Sequence, residues 1–184
     1  MTVTTPTLRE LLDGIAVPSP SLSTLRPAGL RLDSRTIQSG EGFVALTGQR
    51  QHGLAFADQA MAQGAECVLY ETPVPGIFAD RLADWPGVGV SELRRHLGVI
   101  ADRVYGAPSR RLTTIGVTGT NGKTSTVHLL AQALSGAGID VATIGTLGSG
   151  RPGALVEGER TTPDVLSVHA LQRRFVDDGI THVA

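Results

Sequence analysis

The residues predict an α/β protein built on parallel strands, and three observations carry that prediction. Short apolar runs alternate with stretches of helical period along the chain. Twenty-three Gly and ten Pro punctuate the alternation at the joints between elements. Of 184 residues, 41% are hydrophobic and 18% charged, enough to bury a sizeable core in one or two domains.

Taken in order, residues 7–13 predict a short helix and residues 30–32 a short strand. A second strand at 43–46 follows the turn Gln38-Ser39-Gly40-Glu41-Gly42. Residues 54–63 read as a helix stopped by Gly64, a residue suited to the left-handed C-terminal position. It leads into a strand at 67–70, completing a strand, helix, strand unit. Residues 72–86 carry three Pro and no clean period, which predicts mostly loop, and 88–90 predict a weak strand. Leu93, Leu97, Ile100 and Val104 recur at helical spacing in a helix over 91–104 that Ser91 can cap. A core-facing stripe is the plain reading of those four. The break at Tyr105-Gly106-Ala107-Pro108-Ser109 then predicts a domain boundary, giving domains at 1–108 and 109–184.

The second half opens with a strand over 112–117, rich in β-branched residues, and a Gly-rich turn connects it to a helix over 123–135. A strand at 141–144 follows. Residues 145–158 hold too many Gly for a regular element, and Thr162-Pro163-Asp164 opens a helix to about residue 178, with Val168, Leu171 and Phe175 on one face. Residues 180–184 predict a last strand. A parallel strand at the end of a chain, with no helix after it, suggests a fragment whose exposed sheet edge would self-associate.

Charge narrows the partners. Sixteen Lys plus Arg against seventeen Asp plus Glu leave a net charge of -1, which gives no general attraction to nucleic acid or to an anionic membrane. Any anion site must be local. Residues 112–139 are interrupted by Asn121, Lys123, His128 and several Gly, unlike a span of about 20 apolar residues. The first ten residues lack a basic, apolar, small-residue succession, so a cytoplasmic protein is expected. Cys67 is the single cysteine, which excludes an internal disulfide, and its apolar run makes it a buried structural thiol.

The strongest chemical signal is Gly119-Thr120-Asn121-Gly122-Lys123-Thr124-Ser125, between a predicted strand and a predicted helix. Small residues let successive backbone N–H groups curl around phosphate oxygens, and the helix N-terminus adds partial positive charge. Lys123 supplies a point charge for the β and γ phosphates of ATP, and the Thr124 hydroxyl suits a Mg2+ ion bridging them. The common pattern Gly-x-x-x-x-Gly-Lys-[Ser/Thr] has Gly where this chain has Val117, so the loop is a variant. The plain alternative is a Gly-rich turn that only feeds a helix.

Gly119 to Ser125 resembles the nucleotide loop of the Mur ligase superfamily, ATP-dependent enzymes that join amino acids to cell-wall precursors. Leu32-Asp33-Ser34-Arg35, Gly40-Glu41-Gly42-Phe43-Val44-Ala45-Leu46-Thr47-Gly48 and His52-Gly53 are similar to the uridine-nucleotide-binding N-terminal domain of these ligases. Thr161-Thr162-Pro163-Asp164 is similar to the threonine pair with which the tripeptide-adding enzyme holds the peptide end of its substrate. Together they match the UDP-N-acetylmuramoyl-tripeptide synthetase branch over nearly the whole chain. The resemblance implies a uridine-nucleotide domain at 1–108 and the start of an ATP-binding domain at 109–184. It implies ATP phosphates on Gly119, Thr120, Asn121, Gly122, Lys123, Thr124 and Ser125, with Lys123 neutralising charge during transfer and Thr124 on Mg2+. Leu32 and Ser34 become uridine-side contacts, and Thr161 and Thr162 substrate-peptide contacts. Gln49-Arg50-Gln51 lines up with a uridine-nucleotide contact loop. The implied partners are UDP-N-acetylmuramoyl-L-alanyl-D-glutamate and a diamino acid, with meso-diaminopimelate favoured as the commoner one and a lysine-adding or another Mur-type ligase as the alternative. Charge and hydropathy already predict no nucleic-acid or membrane partner, and a monomer is expected of the full-length enzyme.

In the family, a glutamate for a second magnesium contact, a carbamylated lysine, a substrate serine and the C-terminal domain all lie beyond the position of Ala184. A chain of this extent is expected to be an incomplete, inactive portion. Arg160 stands where some relatives have a polar amide, so that contact is not carried over.

Plainer readings stand beside these. Asp33-Ser34-Arg35 suits a polar turn, and Thr162, Pro163 and Asp164 suit the N-cap, first position and first turn of a helix. His52 and His128 lack a second metal-ligand type at useful spacing, so packed or solvated side chains are expected and no zinc. Two other function classes remain open: a small phosphotransferase using Asp140 or Asp164 as second metal ligand, and a module that holds a nucleotide sugar or ATP without chemistry.

Overall fold

The computed structural model describes residues 5–157 and 163–184. The chain divides into two compact units, Met1–Gly106 and Ala107–Ala184.

The first unit is a four-stranded, all-parallel sheet in sequential order: β1 (Leu30–Arg31), β2 (Gly42–Ala45), β3 (Cys67–Thr72), β4 (Gly87–Ser91). Every residue of β2 is buried, as expected of a parallel strand covered on both faces. Against one face Phe43, Ala45 and Val68 pack with Ile37, Leu54, Ala57, Ala60 and Trp85. α3 (Leu93–Val104) packs on β3 and, in turn, on α1 (Leu8–Leu11). Leu93, Leu97, Ile100 and Val104 are all buried, each contributing roughly 1.5–3 kcal/mol. Thr7 starts α1 with a reciprocal capping box to Glu10. Arg103 Nη1 ties the far end of that helix to α3 by donating to the carbonyls of Leu11 and Asp13, both at 2.8 Å.

Three local expectations are corrected here. Residues 72–86 are not mostly loop: Gly76–Asp84 forms a 3-10 stretch that links β3 to β4. It is held by Arg81 and by Trp85 Nε1, which donates to Asp58 Oδ1 at 2.9 Å, and no local period announces such tertiary bonds. The helix expected over 54–63 begins as a 3-10 turn, Gly53–Phe56, and only then becomes α2 (Ala57–Ala62). Ser91 does not cap α3; it ends β4, and Glu92 occupies the N-cap in the left-handed region at φ 49°.

The second unit has a five-stranded sheet in the order β5 (Thr113–Thr114), β9 (His182–Val183), β6 (Val141–Gly145), β7 (Gly148–Arg151), β8 (Ala154–Val156). β5, β9 and β6 are parallel, and α4 (Lys123–Gly136) crosses from β5 to β6. Leu112, Ala142, Phe175, Ile180 and Val183 form its core with α5 (Val165–Asp177). The strand expected over 112–117 is much shorter, because only Thr113–Thr114 finds ladder partners in β9. Residues 145–158 do contain regular elements: β7 and β8 form an antiparallel hairpin on β6. Gly148 and Gly150 sit there at φ 115° and 140°, so the glycines that argued against a strand are what its geometry uses. α5 is capped by Asp164, whose Oδ1 accepts from the N–H groups of Leu166 and Ser167 at 2.9 and 3.0 Å, so the cap falls two residues beyond the position expected. β9 lies between β5 and β6, so residues 180–184 supply a central strand and not the exposed edge expected.

Candidate functional site

In a parallel sheet the loops after successive strands gather at one carboxyl edge, and this fixes where chemistry can assemble in each unit. In the second unit, the segment after β5 turns through residues 116–122 and enters α4 at Lys123. Residues 118–123 are exposed. Gly119 and Gly122 take φ values of 150° and 77°, backbone that side-chain-bearing residues adopt at a cost of about 1–2 kcal/mol. Gly122 is the N-cap of α4 and offers no side-chain cap, so the amides of the first turn stay directed outward as an anion-binding end. Lys123 folds back over the loop, its Nζ donating to the carbonyls of Gly119 and Thr120. The ammonium is thereby held beside the outward amides.

Thr124 Oγ1 lies 3.0 Å from Thr146 Oγ1. Thr146 directly follows β6, whose carboxyl end shares an edge with that of β5. Two hydroxyl oxygens at that spacing are hard ligands of the type Mg2+ takes. Sequence reasoning misses Thr146, whose signal is a threonine immediately after a strand parallel to the one preceding the Gly-rich loop. Asp140 lies at the opposite, amino end of β6, ion-paired with Arg151. Asp164 spends its carboxylate on the cap of α5 and on the Ser167 hydroxyl. Neither aspartate joins the threonine pair. Among the described residues no group of three or more His, Cys, Asp and Glu side chains is close enough to hold a metal ion. Thr161 and Thr162 lie outside the described residues.

In the first unit, Leu32 and Ser34 follow β1 at the carboxyl edge. Asp33 Oδ1 accepts from the Arg35 N–H at 3.0 Å, and its carbonyl accepts from the Thr36 N–H, so the polar turn exists and fixes Ser34 in place. Ser34 is buried, and its hydroxyl donates to Gln59 Oε1 at 2.7 Å. Gln59 carried no sequence signal. Residues 49–51 are exposed in the loop after β2. His52, which ends that loop, is buried: its Nδ1 accepts from the Leu54 N–H at 3.2 Å and its Nε2 is 2.9 Å from the Glu71 carbonyl. It is a packed, hydrogen-bonded histidine.

Residues 27–105 match the family described as Mur ligase family, catalytic domain, and residues 117–184 match the Mur ligase middle domain. The chain belongs to the Mur ligase family. Similar curated Mur ligases include the UDP-N-acetylmuramoyl-L-alanyl-D-glutamate--2,6-diaminopimelate ligase of Xanthomonas campestris pv. campestris (strain 8004), 47% identical over 177 residues, 96% of this chain and 34% of that protein. The enzyme of the same name from Pseudomonas aeruginosa is 45% identical over 155 residues, 84% of this chain and 31% of that protein. A solved structure bearing that name superposes with a TM-score of 0.74 at 26% identity, over 97% of this chain and 35% of the other. This Mur ligase chain thus spans about a third of the length of the curated relatives it matches. No helix among the described residues is long and apolar enough to cross a membrane.

Proposed function

We propose that this chain is the substrate-nucleotide and ATP-phosphate portion of a ligase that adds a diamino acid, meso-diaminopimelate, to UDP-N-acetylmuramoyl-L-alanyl-D-glutamate. The observation that carries it is the 47% identity maintained over 96% of the chain with a ligase of that name, spanning both units. The reaction class explains the need for ATP. A carboxylate is a poor acyl donor at neutral pH, and phosphorylating the D-glutamate side chain to an acyl phosphate gives it a leaving group that an amine displaces.

The chain's own residues contribute alignment and charge. Gly119, Thr120, Asn121, Gly122, Lys123, Thr124 and Ser125 hold the ATP phosphates through backbone N–H groups, with the ammonium of Lys123 offsetting negative charge on the transferring group. Thr124, with Thr146 beside it, would hold Mg2+. The chemistry such an ion would supply there is positive charge against the terminal phosphates. Leu32 and Ser34 take the uridine end of the substrate, at the carboxyl edge of the first sheet. Thr161 and Thr162 take its peptide end. No residue of this chain is assigned to delivery of the amine.

Titration calorimetry with Mg-ATP and, separately, with UDP tests the assignment. Lys123→Ala is expected to abolish ATP binding and to leave UDP binding unchanged. Equal loss of both ligands would overturn the separation of the two sites.

A further inference from the structure

The loop of residues 47–52 is tied down at both ends by one side chain and one backbone carbonyl of β3, and nothing in the reaction as proposed uses those groups. Glu71 Oε2 accepts from the Thr47 N–H at 2.9 Å. Its other oxygen, Oε1, accepts from the Arg94 N–H at 3.1 Å, in the first turn of α3. Arg94 closes the circuit, donating from Nη2 to the Thr47 carbonyl at 2.9 Å. Both backbone groups of Thr47 are therefore held by the Glu71 and Arg94 side chains. The far end of the loop is held by His52, whose Nε2 is 2.9 Å from the Glu71 carbonyl. Thr47 and His52 face each other across an isolated antiparallel bridge, and the Gly48 N–H donates to the Gln51 carbonyl at 3.1 Å. The loop closes as a small hairpin on this base.

The latch is built on a carboxylate and a guanidinium. A carboxylate that divides its two oxygens between backbone N–H groups from different elements is committed at both, and hydrogen bonds to a charged acceptor are stronger than neutral ones. α3 enters through Glu92 in the left-handed region with no side-chain cap, so Glu71 supplies from β3 an acceptor that its N-terminus lacks locally. One residue thereby couples the start of α3 to the start of the loop. The exposed tip, Gln49-Arg50-Gln51, is what remains free to meet a ligand.

We infer that Glu71, with Arg94, is a positioning residue for the uridine nucleotide: it sets the geometry of residues 48–51 without touching the ligand. This rests on the reading that the carboxyl edge of the first sheet takes the nucleotide end of the substrate. Preorganisation of a loop raises affinity by removing the ordering cost from the binding step.

The experiment uses UDP as probe, with calorimetry for affinity and amide hydrogen exchange of the ligand-free protein for the latch. Glu71→Ala is expected to raise the Kd for UDP about tenfold and to speed exchange at Thr47 and Arg94, while Mg-ATP binding stays unchanged. Glu71→Gln, which retains one acceptor oxygen, is expected to recover part of both effects. Arg94→Ala, at an exposed side chain, provides a variant that leaves the buried core intact, and a severalfold rise in Kd is expected. Wild-type affinity in both Glu71→Ala and Arg94→Ala would overturn the positioning role alone. Failure of the unaltered protein to bind UDP would overturn the nucleotide reading and the positioning role together.

Discussion

Cys67 shows how the fold decides a side chain's chemistry. It is fully buried on β3, and burial, with the Glu66 charge adding to it, pushes its thiol pKa up to about 12. The native protein is therefore expected to resist a thiol-specific disulfide reagent at neutral pH and to react with it once urea unfolds the first unit. Rapid labelling of folded protein would contradict this. Glu71 shows the opposite balance. Burial alone would raise its pKa, but the N–H groups of Arg94 and Thr47 and the Arg94 charge outweigh it, and the carboxyl sits below the ordinary value of 4.5. Its contribution to stability is thus complete above that ordinary value and lost as pH falls through the lower folded one. The stability gap between wild type and Glu71→Gln, measured by urea denaturation, should be constant from neutral pH down to 4.5 and narrow below it. The Gly-rich turn and the start of α4 at Lys123 were legible in sequence because glycine, lysine and threonine stand at fixed local offsets. Thr146, Gln59 and Glu71 were not, since each acts across a gap of more than twenty residues that only parallel pairing and helix packing close.

Among the elements, helices and long strands were legible because their period and their stops lie within one segment: residues 93–104 and 123–136 are helices much as their spacing required. The errors fall where hydrogen bonds arrive from elsewhere. β5 is short because β9 offers it few partners, and the β7–β8 hairpin forms although its glycines discourage strands locally. Asp164 tests the local side of this logic. It caps α5 with two backbone bonds and one to the Ser167 hydroxyl, so Asp164→Ala is expected to cost about 1 kcal/mol in denaturant unfolding of the second unit. Asp164→Asn should recover most of it, and an unchanged midpoint in the alanine variant would sink the assignment.

For the molecule as a whole, each unit buries apolar side chains of its own among the described residues: one cluster is drawn from positions 37–85 and another from 112–183, with no residue in common. Calorimetry is expected to show two cooperative transitions. Phe43→Ala, at a side chain 1% exposed, should destabilise one of them by about 3–5 kcal/mol and leave the other in place; a single shifted transition would contradict it. Every crossover in the first sheet advances one strand in the same direction, from β1 to β4. Doubly wound sheets open a crevice where neighbouring connections diverge to opposite sides, and a sheet wound one way has no such switch point. The uridine nucleotide proposed for its carboxyl rim would therefore be recognised through loop length and loop chemistry. Insertions and deletions after β1 or β2 can retune what the rim accepts while the strands beneath keep their register.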